Sequence, residues 1–454
     1  MRHRPAMSHH AGRVSSMHYG VRWRVAGLLF AVALFNYFDR TAISIASPAI
    51  KAQLGLSNEQ LGIVFSSFFL GYALFNFIGG WAADRFGPNR TLLFSIIAWS
   101  LCCGLTAAAQ GFASLLVIRV LFGAAEGPFG AASAKLVNQC FPKREVSSAI
   151  AFGASGTPVG VIFAGPVMAA LILGEGWRVS LMLVGACGIL FAVVWSRYGS
   201  AWSRLAREAL PATPMSASVP PAPSSAAVSD ASQARGSAKK RSRLLSNPII
   251  VANAAAYFAY TYLLSLYLSW MPIFFMSRYH LDLRAAAFGS SAPWIMAFAG
   301  LWAGGLLSDA IFRSSGRLLP SRRIPQVAGL AMAALGTAFL ADVPTVGGAI
   351  AIASVSLFAL YVTGTSYWAV VQDVVPAASV GRASGFTHLI ANLGGLVGPA
   401  LTGAIVQHTD SFRLAWLVAA GLCGLALAGV VIVARMSPVP AAVASAAGQG
   451  VSAK

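Results

Sequence analysis

Asp39 and Arg40 stand side by side inside the first long apolar run of the chain, and Arg119 and Glu126 stand seven residues apart inside another. A charge near the centre of a membrane helix costs about 2.5–3.5 kcal/mol even on a lenient scale. Four such residues therefore point to a buried site. The chemistry open to them is proton and anion handling: a carboxylate there can alternate between an arginine partner and a proton. Asp39 and Glu126 are the candidate proton carriers, and Arg119 the candidate partner that either releases. Arg40 offers a fork of donors matched to a substrate carboxylate. The competing reading is a fixed ion-pair cluster that only locks two helices together. Seven residues along a helix is about two turns, so Arg119 and Glu126 share a face roughly 10 Å apart.

The elements that must position these residues are membrane helices. Of 454 residues, 57% are hydrophobic and 10% charged, where a soluble protein carries about a quarter charged. At about 20 apolar residues per crossing, twelve helices are expected, near 23–47, 61–82, 91–109, 113–137, 146–172, 177–197, 249–275, 286–310, 324–341, 346–372, 383–406 and 412–435. The formal charge of +19 does not imply nucleic acid, because the basic residues fall mostly in alternate connections. By the positive-inside rule both termini and the central connection are cytoplasmic, as expected for a multi-pass protein of a bacterial inner membrane.

The expected organisation is an N-terminal tail at 1–22, a six-helix bundle at 23–200, a linker at 201–246, a second six-helix bundle at 247–436 and a tail at 437–454. The linker is rich in Pro, Ala and Ser and ends in the basic run 239–243, a composition that reads as a flexible tether. No cleavable signal peptide is expected, because the first apolar run is too long for one. Cys102, Cys103, Cys140, Cys187 and Cys423 form no disulfide or metal pattern, so no cofactor is expected.

Gly80-Trp81-Ala82-Ala83-Asp84 is echoed by Gly305-Leu306-Leu307-Ser308-Asp309, Gly165-Pro166 by Gly398-Pro399, and Gly176-Trp177-Arg178 by Ser411-Phe412-Arg413. The offset stays near 230 residues in each case, which marks a six-plus-six duplication. Two related bundles with a site between them are the architecture of an alternating-access carrier.

Gly80 to Arg90 matches the loop signature of the major facilitator superfamily, which the chain resembles. Within it, Asn36-Tyr37-Phe38-Asp39-Arg40, the run Arg119 to Gly127 and the run Asn392 to Pro399 resemble the anion:cation symporter family of sugar-acid and organic-anion carriers. The resemblance implies that Arg40 and Tyr72 hold a substrate carboxylate, and that Asp84 and Arg85, with Arg90, act as gate elements. Tyr37, Thr157, Ser366, Trp368 and Asn392 are further candidates to line the cavity. His388 is placed near the cytoplasmic end of its helix and given a structural role. The run Ser155 to Pro158 departs from several sugar-acid carriers, which carry a longer amide side chain there.

The expected function is proton-coupled uptake of a small organic carboxylate, such as a sugar acid or an aromatic acid, by a monomer whose other partners are protons and the lipid bilayer. The alternatives are proton-driven efflux of an organic anion or drug, and a ligand sensor that uses a transporter fold without net flux. An enzyme is not expected, because no nucleophile with a base, ligand cluster or phosphate loop is visible.

Overall fold

A computed structural model describes residues 8–142, 144–208, 247–376 and 379–436, the side chains of 8–19 excepted. The linker from 209, its basic end and the C-terminal tail lie outside the described residues. Among those described no β-strand occurs, and eleven stretches are long and apolar enough to cross a membrane. One of them, Val146–Glu208, has 63 residues, about twice a crossing, and it turns at Gly176, whose φ of 77° and ψ of 163° leave the helix. Glycine alone adopts that conformation without strain. There are thus twelve crossings, as expected.

We label them α1 (Ser8–Leu54), α2 (Asn58–Phe86), α3 (Pro88–Leu105), α4 (Phe112–Cys140), α5 (146–175), α6 (177–194), α7 (Pro248–Tyr279), α8 (Leu283–Ser315), α9 (Leu318–Leu340), α10 (Val346–Val374), α11 (Val380–Thr409) and α12 (Arg413–Met436). The first helix begins well ahead of residue 23, and a further short helix, Ser200–Glu208, follows α6. Local chemistry sets several of the starts. Ser57 and Gln60 form a reciprocal capping box at α2, and the side chains of Asn247, Asp282 and Thr345 cap α7, α8 and α10. Each satisfies an amide that the first helical turn leaves open.

The helices form two six-helix bundles, α1–α6 and α7–α12, and the same packing device recurs in each. Gly156 and Gly160 of α5 lie against the carbonyls of Phe30 and Leu34 in α1, and Gly394 and Gly398 of α11 lie against Phe258 and Tyr262 in α7. A Cβ on Gly156 would meet the Phe30 oxygen at 2.2 Å, and one on Gly394 would meet the Phe258 oxygen at 2.2 Å. Both pairs are Gly-x-x-x-Gly, the spacing that lets membrane helices touch backbone to backbone. This is the duplication expressed as contact.

We call the end where α1 begins the near end and the other the far end. Among the described residues, the hydrogen bonds between the bundles cluster in the far half. Ser44 Oγ donates to the Ser269 carbonyl (2.8 Å), the Asn58 amide to Gln407 Oε1 (2.9 Å), the Ala400 amide to Ser66 Oγ (2.9 Å) and Ser291 Oγ to the Val161 carbonyl (3.2 Å). Gly62 of α2 and Gly403 of α11 cross there, and a Cβ on Gly403 would meet the Asn58 oxygen at 2.5 Å and the Gly62 Cα at 3.0 Å. Among the described residues of the near end, Arg22 pairs with Glu145, Lys135 with Asp84 and Arg322 with Asp373, each inside one bundle. The contacts between the bundles hold the far end closed.

Gly403→Val is therefore expected to be incompatible with this state. Labelling of a Ser66→Cys reporter by an impermeant maleimide from the far side should rise severalfold in the valine background. Unchanged labelling would show that the glycine crossing does not hold the far end shut.

A surface pair inside the second bundle gives a pH expectation. Arg413 Nε donates to Asp342 Oδ1 at 2.7 Å across the far-end connections. That hydrogen bond holds the Asp342 carboxyl below its usual range. Because the folded-state value is the lower one, the pair's small contribution is present above the ordinary carboxylate range and is lost as pH falls through the depressed value. Asp342→Asn is expected to flatten that acid limb of thermal stability at low salt, and an unchanged limb would remove the pair from the account.

Candidate functional site

Glu126 stands in α4 just before Gly127 and Pro128, which both keep right-handed helical dihedrals. The helix therefore runs through this step, but proline offers no amide and its ring crowds the preceding turn, so the helix is weakened there. In the second bundle Thr365, just before Ser366 in α10, likewise keeps helical dihedrals.

Arg40 of α1 donates through Nη2 to Glu126 Oε2, with the Glu126 side chain fully buried and that of Arg40 10% exposed. Three rings enclose the guanidinium: Phe68 with its centroid 4.3 Å from Cζ, Tyr37 at 4.8 Å and Tyr72 at 5.2 Å. Such ring faces stabilise a desolvated cation. Arg40 Nε is buried without a hydrogen-bond partner, and the Asn36 amide lies beside the Glu126 carboxyl. The pair is close but incompletely satisfied.

Arg119 does not take the expected place as carboxylate partner in this state. Its guanidinium lies against Phe122 (4.9 Å) and Phe68 (5.1 Å), with Nε unpartnered. Phe68 thus lies against both arginines. Asp39 is 2% exposed, and its carboxyl has the Trp99 indole beside it but no cationic partner. It lies toward Trp99 and Cys103 of α3, on a different side of α1 from Arg40. Adjacent helical residues point about 100° apart, so neighbours in sequence serve different surroundings.

The other candidates are divided. Tyr37 and Tyr72 line the Arg40 site directly. Thr157 of α5 donates to the Ala154 carbonyl at 2.9 Å and faces the Tyr361 hydroxyl of α10. Trp368 is 38% exposed and packs edge-on to Tyr257 at 6.0 Å. Ser366 is buried, and Asn392 spends its amide on the His388 carbonyl of its own helix at 2.9 Å. The gate candidates sit apart, at the near end. Asp84 pairs with Lys135 at 2.6 Å inside the first bundle, while Arg85 and Arg90 are exposed. Arg90 lines a cavity of about 300 Å³ with Arg204 and Arg207.

Two groups were missed in the sequence. Phe68 carries the arginine arrangement, but a phenylalanine in an apolar helix sends no signal of its own. His388 is not peripheral: its ring meets Tyr72 of the first bundle at 6.4 Å, at the depth of the Arg40 site. Its signal was available, because it is the lone histidine well inside an apolar run of the second half.

The model of the Major Facilitator Superfamily matches residues 29–397. The chain is 39% identical over 405 residues to a hexuronate transporter of Bacillus subtilis (strain 168), covering 89% of this chain and 92% of that one. It is 29% identical to a probable L-galactonate transporter of Escherichia coli (strain K12), covering 86% and 84%. Among solved structures it resembles a bacterial homologue of the human lysosomal transporter Spinster in an inward-facing, occupied conformation, with a TM-score of 0.70 at 19% identity over 91% of this chain and 97% of that one. Two bundles built on one packing device, charged residues gathered at mid-depth and these matches have a single reading: the chain belongs to the Major Facilitator Superfamily of transporters.

Proposed function

We propose that this transporter couples protons to the uptake of a sugar monocarboxylate, a hexuronate in the first place, across a bacterial inner membrane. The observation that carries the reading is Glu126 seated on the Arg40 fork inside a ring-lined site. A substrate carboxylate and the Glu126 carboxylate compete for the same guanidinium. Protonating Glu126 frees Arg40 for substrate, and losing that proton restores the pair and expels the substrate. The relatives named for hexuronate and L-galactonate transport support a hydroxylated acid.

Asp39 completes the coupling. An ionised carboxyl buried without a cationic partner is several kcal/mol out of place, whereas the neutral acid is tolerated. Asp39 therefore holds a proton in this far-end-closed state and exchanges it in another. The excess of Lys and Arg beside the near end makes that end cytoplasmic, so the state is closed to the outside, with both termini on the cytoplasmic side. The edge clusters Asp84–Lys135 and Arg322–Asp373 are then the cytoplasmic braces of the two bundles.

The test is uptake of radiolabelled glucuronate, galacturonate, galactonate and benzoate into proteoliposomes under an imposed inward proton gradient. Accumulation of a uronate that collapses when a protonophore is added is the expected result. No accumulation of any acid, or accumulation only under an outward gradient, would move efflux or ligand sensing ahead of import.

A further inference from the structure

The bundle that faces Arg40 across the cleft has little ionisable interior. Among the described residues of α7–α12, its acids and its arginines stand in connections or near helix ends, as do His280 and His408. His388 is the imidazole set inside. Its ring lies 5.5 Å from Trp368 and 6.3 Å from Tyr257, and the 6.4 Å approach to Tyr72 bridges the cleft. Nδ1 is buried and has no hydrogen-bond partner. A histidine that only fills space in a helix interface normally has its ring nitrogens satisfied. This one carries an unpartnered buried nitrogen on a ring that reaches Tyr72 of the first bundle.

Tyr72 touches both sides of the site, with Arg40 at 5.2 Å from its ring centre and His388 at 6.4 Å. A molecule whose carboxylate is held by Arg40 thus lies along the Tyr72 ring with its far end at His388. We propose that His388 is the specificity residue for the hydroxylated body of the substrate. Its ring nitrogen hydrogen-bonds a hydroxyl of a sugar acid anchored on Arg40, while Trp368 and Tyr257 flank an apolar C–H face. This rests on the sugar-acid reading and extends it, because the hydroxyl contact comes from the second bundle. One substrate then ties the two bundles together, and an acid without hydroxyls does not.

A site built to hydrogen-bond a hydroxyl rejects the analogue lacking it, because its own polar group is left unpaired. The experiment compares binding of glucuronate and of cyclohexanecarboxylate, a ring of similar shape without hydroxyls, to the full chain in detergent by titration calorimetry. The unaltered chain is expected to favour glucuronate by about a hundredfold or more. In His388→Phe, glucuronate should weaken tenfold or more while cyclohexanecarboxylate stays within twofold, which also shows that the variant is folded. His388→Gln, which keeps a donor and an acceptor, should recover most of the preference, and Arg40→Lys should weaken both acids alike. Equal loss of both acids in His388→Phe and His388→Gln, or no loss of glucuronate in either, overturns the role of His388 and leaves the sugar-acid reading standing. Failure of the unaltered chain to bind glucuronate or galacturonate overturns the sugar-acid reading, and the role of His388 with it.

Discussion

Arg40→Ala is expected to weaken sugar-acid binding by between about thirtyfold and several thousandfold, the range that follows from losing about 2–5 kcal/mol of buried charged contact. It also strands Glu126, whose side chain is fully buried on that guanidinium. Breaking a buried pair from one side costs about 3–5 kcal/mol, so the single variant should lose thermal stability as well. The double variant Arg40→Ala/Glu126→Gln should regain most of that stability without regaining binding, since a neutral amide needs no counter-charge. Calorimetry and thermal unfolding on the same preparations separate the two effects. A single variant of unaltered stability, or a double variant that binds, would show that Arg40 does not serve both partners in turn.

Glu126→Gln carries the second large effect. The amide cannot be ionised, so Arg40 stays available to substrate at every pH, and the competition that links proton to substrate is gone. Binding and counterflow exchange should persist and become nearly independent of pH, whereas in the unaltered chain affinity should strengthen as pH falls and Glu126 is neutralised. Accumulation against a gradient should fall to equilibrium in Glu126→Gln. Asp39→Asn should also abolish accumulation while keeping pH-dependent binding, because Asp39 lies off the Arg40 fork. Normal accumulation in Glu126→Gln would leave the coupling to Asp39 alone.

The difference between these two carboxylates bears on what the chain discloses before it is folded. Asp39, Arg40, Arg119 and Glu126 were legible because a charge in an apolar run is expensive wherever the helix goes. Their pairing was not legible, because it depends on the rotation of each helix about its own axis. Seven residues of separation set Arg119 and Glu126 on one face, yet the structure gives Glu126 to Arg40 of another helix and lays Arg119 against Phe68 and Phe122. The twelve crossings were readable from apolar length, and the turn between α5 and α6 from Gly176. The Gly-x-x-x-Gly pairs at 156/160 and 394/398 stood in plain view, but nothing local says that their partners are α1 and α7. His388 was misplaced for a related reason. Distance from a helix end was counted along α11, whereas depth is set by the partner it meets, Tyr72 at the middle of α2.

The crossing of Gly62 and Gly403 has a consequence for how tightly the carrier insulates. Backbone lies against backbone there, with the Pro399 and Asn58 carbonyls facing the opposing glycines. Each atomic contact is worth only about 0.1–0.2 kcal/mol, and a gap of about 0.5–1 Å forfeits a quarter to a half of it. The seam is therefore tight only while the two backbones lie fully together, with the Ser66–Ala400 and Asn58–Gln407 hydrogen bonds beside it. A backbone seam of this kind closes one end of a carrier without a dedicated plug.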